Sequence, residues 1–581
     1  MVYPSRFLVD PKHIRTPSFL FTSSLSNSKA RPPFRTCRIR CFSESQSKTQ
    51  DDAAKALADF ILEKHTFEPK GRWLWNDDIQ RVKQTVNINM NALVTLAITA
   101  LNVDLDWDGQ MQTGTVEQGS FNRFFLTRLA LRGTNASTES SNVPNSALTQ
   151  VPYGLVGNTH LSTLSEVATI SFVREVLKHP APRVLEWSSS LTQNVVGRDF
   201  MMTEHLDGTQ LAHRGWDTMT TVRNPDNRRL IRQIMTHQAS MVQKPFSQIG
   251  SIYLKEDVSE ELQKRPLFLN PEDNEHPLAD KYRIGPIADK AFYFLGEEPV
   301  EGDRGPWPDM ESFLQATCRL MIRRAKHQST QSNIQSSSAS LSRSRPEDLP
   351  EIIDLLEKHI QMIPHIVSSI PLELRAPVLT HPRLDARSIL LAEDGSIQSY
   401  INWQDASVIP FFLRSSLPPL FRFDYTPDNS QQRRALLAAK LVDKMTPMYN
   451  KAWENPFWIS QGSFNFCEIV LSCWGEGPVL LRQLVYNLVQ SWPEEIGVPC
   501  PVEISESEME RQRDALEKAM IHQQRMDEGI LLMGCTEDGW VSNEGFERAD
   551  AMRKQIREAW LEEHHDGPFP FEDGRYSSNL V

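Results

Sequence analysis

Apolar residues recur three or four residues apart in several separated stretches of the chain, which predicts amphipathic helices. Such spacing is present over 52–64 and 90–101. A third helix is predicted from Thr163, because Thr163 and Glu166 have the spacing of a capping box. Its apolar face would be formed by Val167, Ile170, Val173 and Leu177. A long helix is predicted near the C-terminus, where Ser505-x-x-Glu508 repeats the capping-box spacing.

Shorter apolar runs bounded by turn residues predict strands around 117–126, 183–187 and 200–206. A hairpin is predicted where Ile389–Ala392 turns through Asp394-Gly395 into Ile397–Asn402. The polar stretch 132–146 is predicted to be an inserted loop. The serine-rich stretch 328–346 has too few apolar residues to build a core and is predicted to be a disordered surface loop.

The order of these elements predicts an α+β protein in which a small strand-rich lobe precedes a larger helical one. The predicted parts are a basic N-terminal segment (1–50), a helical extension (51–110), the small lobe (111–208), the helical lobe (209–500) and a C-terminal helical extension (501–581).

Composition restricts the function classes. The formal net charge of -12 argues against a general nucleic-acid binder, which needs a basic face to displace counterions. No stretch approaches the roughly 18 apolar residues that span a bilayer. The 7 cysteines are scattered and form no CxxC pair. They therefore indicate neither a zinc site nor a disulfide framework, and we expect reduced thiols.

The first fifty residues differ from the rest of the chain. They are rich in arginine, lysine and serine and contain only two acids, Asp10 and Glu44. This composition is typical of a mitochondrial transit peptide, with a processing region near Arg40-Cys41-Phe42-Ser43. The alternative is a disordered basic tail without a targeting role.

An ordered series of short motifs resembles a fungal family of aminoglycoside-phosphotransferase-like proteins that is named for altered inheritance of mitochondria. The series extends from about residue 60 to 565 and consists of Gly71-Arg72-Trp73-Leu74-Trp75, Glu117–Asn122, Gly157–Leu161, Ser165–Thr169, Gly250–Tyr253, Ile284-Gly285-Pro286, Arg304–Trp307, His381-Pro382 and Trp403–Ser407. The resemblance implies a protein-kinase-like, two-lobed α+β fold with the nucleotide between the lobes. It also supports a mitochondrial localisation.

The related kinases position the nucleotide with a loop, a basic residue of the third strand and a helix glutamate. The resemblance places Gly119 and Ser120 in that loop. Neutral Gln150 stands where lysine or arginine is usual, and Glu166 corresponds to the helix glutamate, which then lacks its charged partner. Glu204, in the predicted strand 200–206, is a further candidate for nucleotide binding.

The catalytic loop and the metal ligands are also altered, by the same resemblance. In His381–Ser388, Arg383 stands in place of the catalytic aspartate and Ser388 in place of a metal-binding asparagine. Asn402 replaces the metal-binding aspartate. Arginine cannot accept a proton at neutral pH, and an amide supplies no charge to magnesium. Binding of ATP and magnesium is therefore doubtful.

The leading hypothesis is a mitochondrial pseudokinase that acts by binding a protein or a small molecule. The alternative is an active phosphotransferase for a small hydroxylated substrate, with Asp385 as the substitute base and Asp405 as the substitute metal ligand. It predicts that Asp385→Ala abolishes activity. A third possibility is a different group transfer.

Simpler structural interpretations remain open for individual residues. Asp385 is then a surface carboxylate and His381 a structural histidine. Arg383 and Arg387 form either an anion site or an ordinary solvated surface.

Overall fold

The computed structural model describes residues 35–37, 63–65, 71–101, 110–118, 121–130, 146–153, 158–189, 194–214, 216, 225–293, 300–331, 348–414, 418–421, 478–563 and 569–573. Several predicted features lie outside these residues. They are most of the basic segment 1–50, residues 52–62 of the helix expected over 52–64, residues 132–145 of the expected loop, Gly119, Ser120, and the serine-rich stretch beyond Gln331. Glu63–His65, at the end of that expected helix, forms a strand.

The N-terminal part consists of short elements. These are strands β1 (Arg35–Cys37), β2 (Glu63–His65) and β3 (Gly71–Trp73), helix α1 (Asp77–Lys83), strand β4 (Val86–Ile88) and helix α2 (Met90–Ala100). Helix α2 matches the prediction over 90–101, and it begins after Asn89, whose side chain accepts a hydrogen bond from the Ala92 amide.

An antiparallel sheet forms most of the small lobe. The elements of this lobe are the strands β5 (Gln110–Gln118), β6 (Asn122–Ala130), β7 (Ser146–Pro152), β8 (Val184–Ser188) and β9 (Phe200–Glu204) and the helix α3 (Thr159–Glu175). The strand order is β1-β5-β6-β7-β9-β8. Alternation along β7 places Ala147 and Val151 in the core beside Phe125. Gln150 consequently lies on the other face of the sheet, toward α3.

Helix α3 begins four residues earlier than predicted. Its N-cap is Asn158, whose side chain accepts from the Leu161 amide at 3.1 Å. Thr163 and Glu166 therefore lie inside the helix, and the prediction that they form a capping box is wrong. The predicted face Val167, Ile170 and Val173 is buried.

Helices dominate the rest of the described chain. After strand β10 (Thr209–Gln210) come α4 (Pro225–Val242), β11 (Ser251–Leu254), α5 (Glu260–Gln263), β12 (Tyr282–Gly285), α6 (Met310–Gln331), α7 (Leu349–Ser369), α8 (Leu372–Arg375), β13 (Pro377–Leu379), β14 (Ile389–Leu391), β15 (Ile397–Tyr400), β16 (Val408–Pro410), α9 (Phe411–Arg414) and α10 (Pro478–Glu495). Strands β14 and β15 form the predicted hairpin, and Gly395 in its turn has a φ of 78°.

The C-terminal extension contains α11 (Glu506–Met533), β17 (Trp540–Ser542) and α12 (Phe546–Glu563). The capping box predicted at Ser505 is confirmed. Strand β17 pairs with β3, so the two ends of the described chain meet. Trp75 packs there against Phe571, with ring centroids 5.2 Å apart.

This architecture confirms the predicted α+β class, with a small strand-rich lobe and a larger helical one. Among the residues that the structure describes, no helix has the length and apolar character that crossing a membrane requires.

Candidate functional site

The side chains of Gln150 and Glu166 meet between the sheet and α3. The Gln150 Nε2 donates to Glu166 Oε2 at 2.8 Å. This is the position where the resemblance implies a lysine–glutamate pair in active kinases. Here a neutral amide takes the place of the cation, and the contact is a hydrogen bond rather than an ion pair.

The surroundings of the Glu166 carboxyl favour its protonated form. Its side chain is buried, with 5% of the residue exposed. Its pKa is raised to about 8, chiefly by burial and also by the nearby Asp405 charge, while hydrogen bonds from Gln150 and from the Gln404 backbone oppose the shift. Glu166 is therefore largely protonated at neutral pH.

A lysine from the helical lobe enters the same cleft. Lys290 Nζ is 2.8 Å from Asp405 Oδ2, and the Lys290 amide donates to Asp405 Oδ1 at 3.3 Å. The ammonium also lies 3.6 Å from the centroid of the Phe121 ring, which belongs to the segment Glu117–Asn122 of the small lobe. The charged pair of the cleft is thus Lys290–Asp405 within the helical lobe, and the contact of Lys290 with Phe121 reaches the small lobe.

A second contact, between Asn122 and Gln404, crosses the cleft. Asn122 at the start of β6 donates through Nδ2 to Gln404 Oε1. Asn122, Gln150, Glu166 and Gln404 line a cavity together with Pro152, Ser162, Thr163 and Met201. Its enclosed part has room for about one water molecule. The enclosed part of this cavity is therefore too small for a nucleotide.

The catalytic-loop segment 381–388 is held by its own hydrogen bonds. His381 Nε2 is 2.9 Å from the Ile401 carbonyl, and its Nδ1 accepts from the Arg383 amide at 3.2 Å. Burial lowers the pKa of His381 to about 4, so the ring is neutral. Both ring nitrogens are used by backbone groups.

Asp385 is similarly engaged. Its Oδ1 accepts from the amides of Arg387 and Ser388, at 2.9 and 3.0 Å. Its Oδ2 is 3.3 Å from Arg383 Nε. The Ser388 hydroxyl, which is 1% exposed, donates to the Asp385 carbonyl at 2.8 Å. These groups stabilise the turn of the loop.

Asn402 and Asp405 follow the hairpin in left-handed backbone conformations, with φ of 67° and 64°. Asparagine and aspartate tolerate this conformation better than other side-chain-bearing residues. The Asn402 side chain is exposed. Asp405 is paired with Lys290, as described above, and burial together with Asp405 raises the pKa of neighbouring Asp289 to about 6.

The positions where the resemblance implies magnesium ligands carry other groups in this chain. Magnesium favours carboxylate oxygens in octahedral geometry. Within the described part of the chain, no group of three histidine, cysteine, aspartate or glutamate side chains could hold a metal. Asn402 offers an amide, the Ser388 hydroxyl bonds its own loop, and Lys290 neutralises Asp405.

Glu204 is placed apart from these groups. Its Oε1 accepts from the Arg183 amide at 2.7 Å and lies 3.3 Å from an Arg174 terminal nitrogen. It is not among the residues that line the cavity. Gly119 and Ser120, the predicted loop contacts, lie outside the described residues.

Lys290 is the main residue that the sequence analysis missed. It lies in an irregular segment after β12, more than a hundred positions before Asp405, and no local spacing relates the two. For Gln150, the alternation along β7 predicts that its side chain lies on the face of the sheet opposite to Ala147 and Val151.

Comparisons with known proteins give relatives of low identity. No protein-family model matches the chain. A subtelomeric hrmA-associated cluster protein of Aspergillus fumigatus is 26% identical over 514 residues, which cover 76% of this chain and 91% of the relative. Altered inheritance of mitochondria protein 9 of Clavispora lusitaniae is 24% identical over 393 residues, which cover 59% of this chain and 60% of the relative.

Among solved structures, an ethanolamine kinase of Plasmodium vivax is 13% identical, with a TM-score of 0.36, and the match covers 77% of this chain and 92% of that chain. An aminoglycoside phosphotransferase, APH(4)-Ia, is 11% identical, with a TM-score of 0.32, over 69% of this chain and 99% of that chain.

The same protein 9 of Yarrowia lipolytica is 24% identical over 261 residues, which cover 43% of each chain. The names of the protein 9 relatives include the word mitochondrial, which supports the predicted localisation. The resemblance predicted from the motifs is confirmed: the chain is similar to the fungal proteins named altered inheritance of mitochondria protein 9.

Proposed function

We propose that this protein is a mitochondrial pseudokinase, which acts by binding and does not transfer phosphate. The observation that carries the proposal is the hydrogen bond between Gln150 and Glu166. An active site of this type needs a cation at that position to neutralise the phosphates, and a neutral amide cannot supply the charge. A protonated Glu166 is compatible with the amide and would not be expected beside a lysine.

The remaining positions support the same conclusion. Arg383 brings a positive charge to the place of the base, and its neighbour Asp385 is occupied by two backbone amides and by Arg383 itself. Asp405, the other carboxylate that an active enzyme would need, is paired with Lys290. Each side chain that could serve as a substitute therefore already has another partner.

A phosphate-transfer assay tests the proposal. The purified full chain is incubated with ATP and magnesium, and consumption of ATP and incorporation of phosphate are measured with hydroxylated small molecules as acceptors. We expect no magnesium-dependent consumption above the background of protein-free buffer. The quadruple variant Gln150→Lys, Arg383→Asp, Ser388→Asn, Asn402→Asp returns the usual groups and is the matched comparison.

Magnesium-dependent transfer by the unmodified chain would overturn the proposal. If Asp385→Ala then abolished that transfer, the alternative of an active phosphotransferase with Asp385 as its base would be supported. Unchanged transfer in Asp385→Ala would exclude that arrangement.

A further inference from the structure

The guanidinium of Arg383 is the least satisfied charged group of the catalytic loop. Its side chain is 53% exposed, and its charged contact is the 3.3 Å approach of Nε to Asp385 Oδ2. Within the described part of the chain, the two terminal nitrogens of Arg383 have no hydrogen-bond partner at all. A planar guanidinium with two free N–H edges is suited to binding an oxyanion through paired hydrogen bonds.

The loop holds this arginine in place before any ligand arrives. The Arg383 amide donates to His381, which is itself fixed to the Ile401 carbonyl. On the other side, Asp385 is oriented by the amides of Arg387 and Ser388. The backbone is therefore fixed on both sides of Arg383, and the approach of Nε to Asp385 favours one direction for the side chain.

Other basic residues belong to the loop or to the segment next to it. The Ala212 amide donates to the Ala386 carbonyl at 2.8 Å, which places the segment Leu211–Arg214 beside the loop. His213, Arg214 and Arg387 are all exposed. This local group of basic residues contrasts with the net charge of -12 for the whole chain.

We infer that Arg383 is the centre of an oxyanion site on the acceptor side of the cleft, for a small molecule that carries a phosphate or carboxylate group. The inference rests on the proposed function, since an active kinase would need a carboxylate at this position. It names the class of ligand that a binding protein with this surface would take. An anionic group forms an ion pair with the guanidinium there, whereas a neutral sugar hydroxyl can accept a hydrogen bond but gains no ion-pair attraction.

Titration with inorganic phosphate and with citrate tests the site. Binding to the full chain is followed by calorimetry at constant ionic strength, without nucleotide or magnesium. Arg383→Gln is expected to weaken binding about tenfold or more, because it removes charge-assisted hydrogen bonds. Arg383→Lys should bind with an intermediate affinity, since it keeps the charge and loses the planar fork. Stronger binding of phosphate than of citrate would indicate a phosphoryl ligand, and the reverse a carboxylate.

Arg229→Gln is the matched control, because Arg229 is an exposed arginine of α4 outside the loop. It is expected to leave both affinities unchanged. Equal weakening in Arg383→Gln and Arg229→Gln would overturn the inference, since binding would then follow total charge. Absence of binding to the unmodified chain would overturn it as well. Neither result bears on the magnesium-dependent chemistry, so the proposed function is tested separately.

Discussion

Replacing Lys290 by methionine is expected to lower the free energy of unfolding by about 3 kcal/mol, because it leaves the carboxylate of Asp405 without its partner. The two side chains are only 16% and 14% exposed, and their charged atoms are 2.8 Å apart. Asp405 also raises the pKa of Glu166 and Asp289, so an unpaired Asp405 would stand among other buried carboxyls. Urea unfolding at neutral pH measures the loss.

Two variants make the test specific. The double variant Lys290→Met, Asp405→Asn removes both charges and is expected to recover most of the loss, since asparagine also tolerates the left-handed backbone at this position. Lys255→Met breaks the ion pair between Lys255 and Asp280, whose side chains are 35% and 74% exposed. It should lower the free energy of unfolding by less than about 1 kcal/mol. Equal losses in Lys290→Met and Lys255→Met would contradict a stabilising buried ion pair between Lys290 and Asp405.

Glu166 is expected to make stability fall as pH rises from 4.5 toward 8. Its ordinary pKa of 4.5 is raised to about 8 in the folded protein, chiefly by burial. Between these values the folded state binds a proton that the unfolded state has released, so protonation favours folding and the advantage is lost as pH rises. From pH 6 to 8 this group should lower the free energy of unfolding by about 2 kcal/mol.

The measurement compares the unmodified chain with Glu166→Gln over that range. Glutamine imitates the protonated acid and can still accept the Gln150 hydrogen bond through its carbonyl. The difference in stability between the two proteins should therefore shift in favour of Glu166→Gln as pH rises. A difference that is constant from pH 6 to 8 would mean that Glu166 is already ionised. In a Gln150→Lys background the trend should weaken, because the ammonium lowers the Glu166 pKa.

The local patterns of the sequence were enough to predict the α+β class, whereas the candidate site residues came from the family resemblance. In the structure, Gln150 and Val151 lie on opposite faces of β7, and Gln150 meets Glu166. The hairpin and the capping box at Ser505 were predicted correctly, because turn and cap residues act within a few positions of each other.

Features that depend on distant segments were not predictable in this way. The predicted start of α3 was wrong. The helix begins after Asn158, whose side chain accepts a hydrogen bond from the Leu161 amide, and Thr163 and Glu166 lie inside the helix although they have the spacing of a capping box. The pairing of β3 with β17 joins residues more than four hundred positions apart. The Lys290–Asp405 bridge is of the same kind, because tertiary packing and not local spacing determines which charges meet.

Thermal unfolding of the full chain with millimolar ATP, in the presence of magnesium or of a chelator, tests the proposed loss of the magnesium–nucleotide site most directly. We expect the two melting temperatures to agree within about 1 °C, because Ser388 and Asn402 stand where the resemblance implies metal ligands. The quadruple variant with the usual catalytic groups shows whether the assay can detect binding. A magnesium-dependent rise of several degrees in the unmodified chain would mean that a working nucleotide site survives, and it would contradict the pseudokinase proposal.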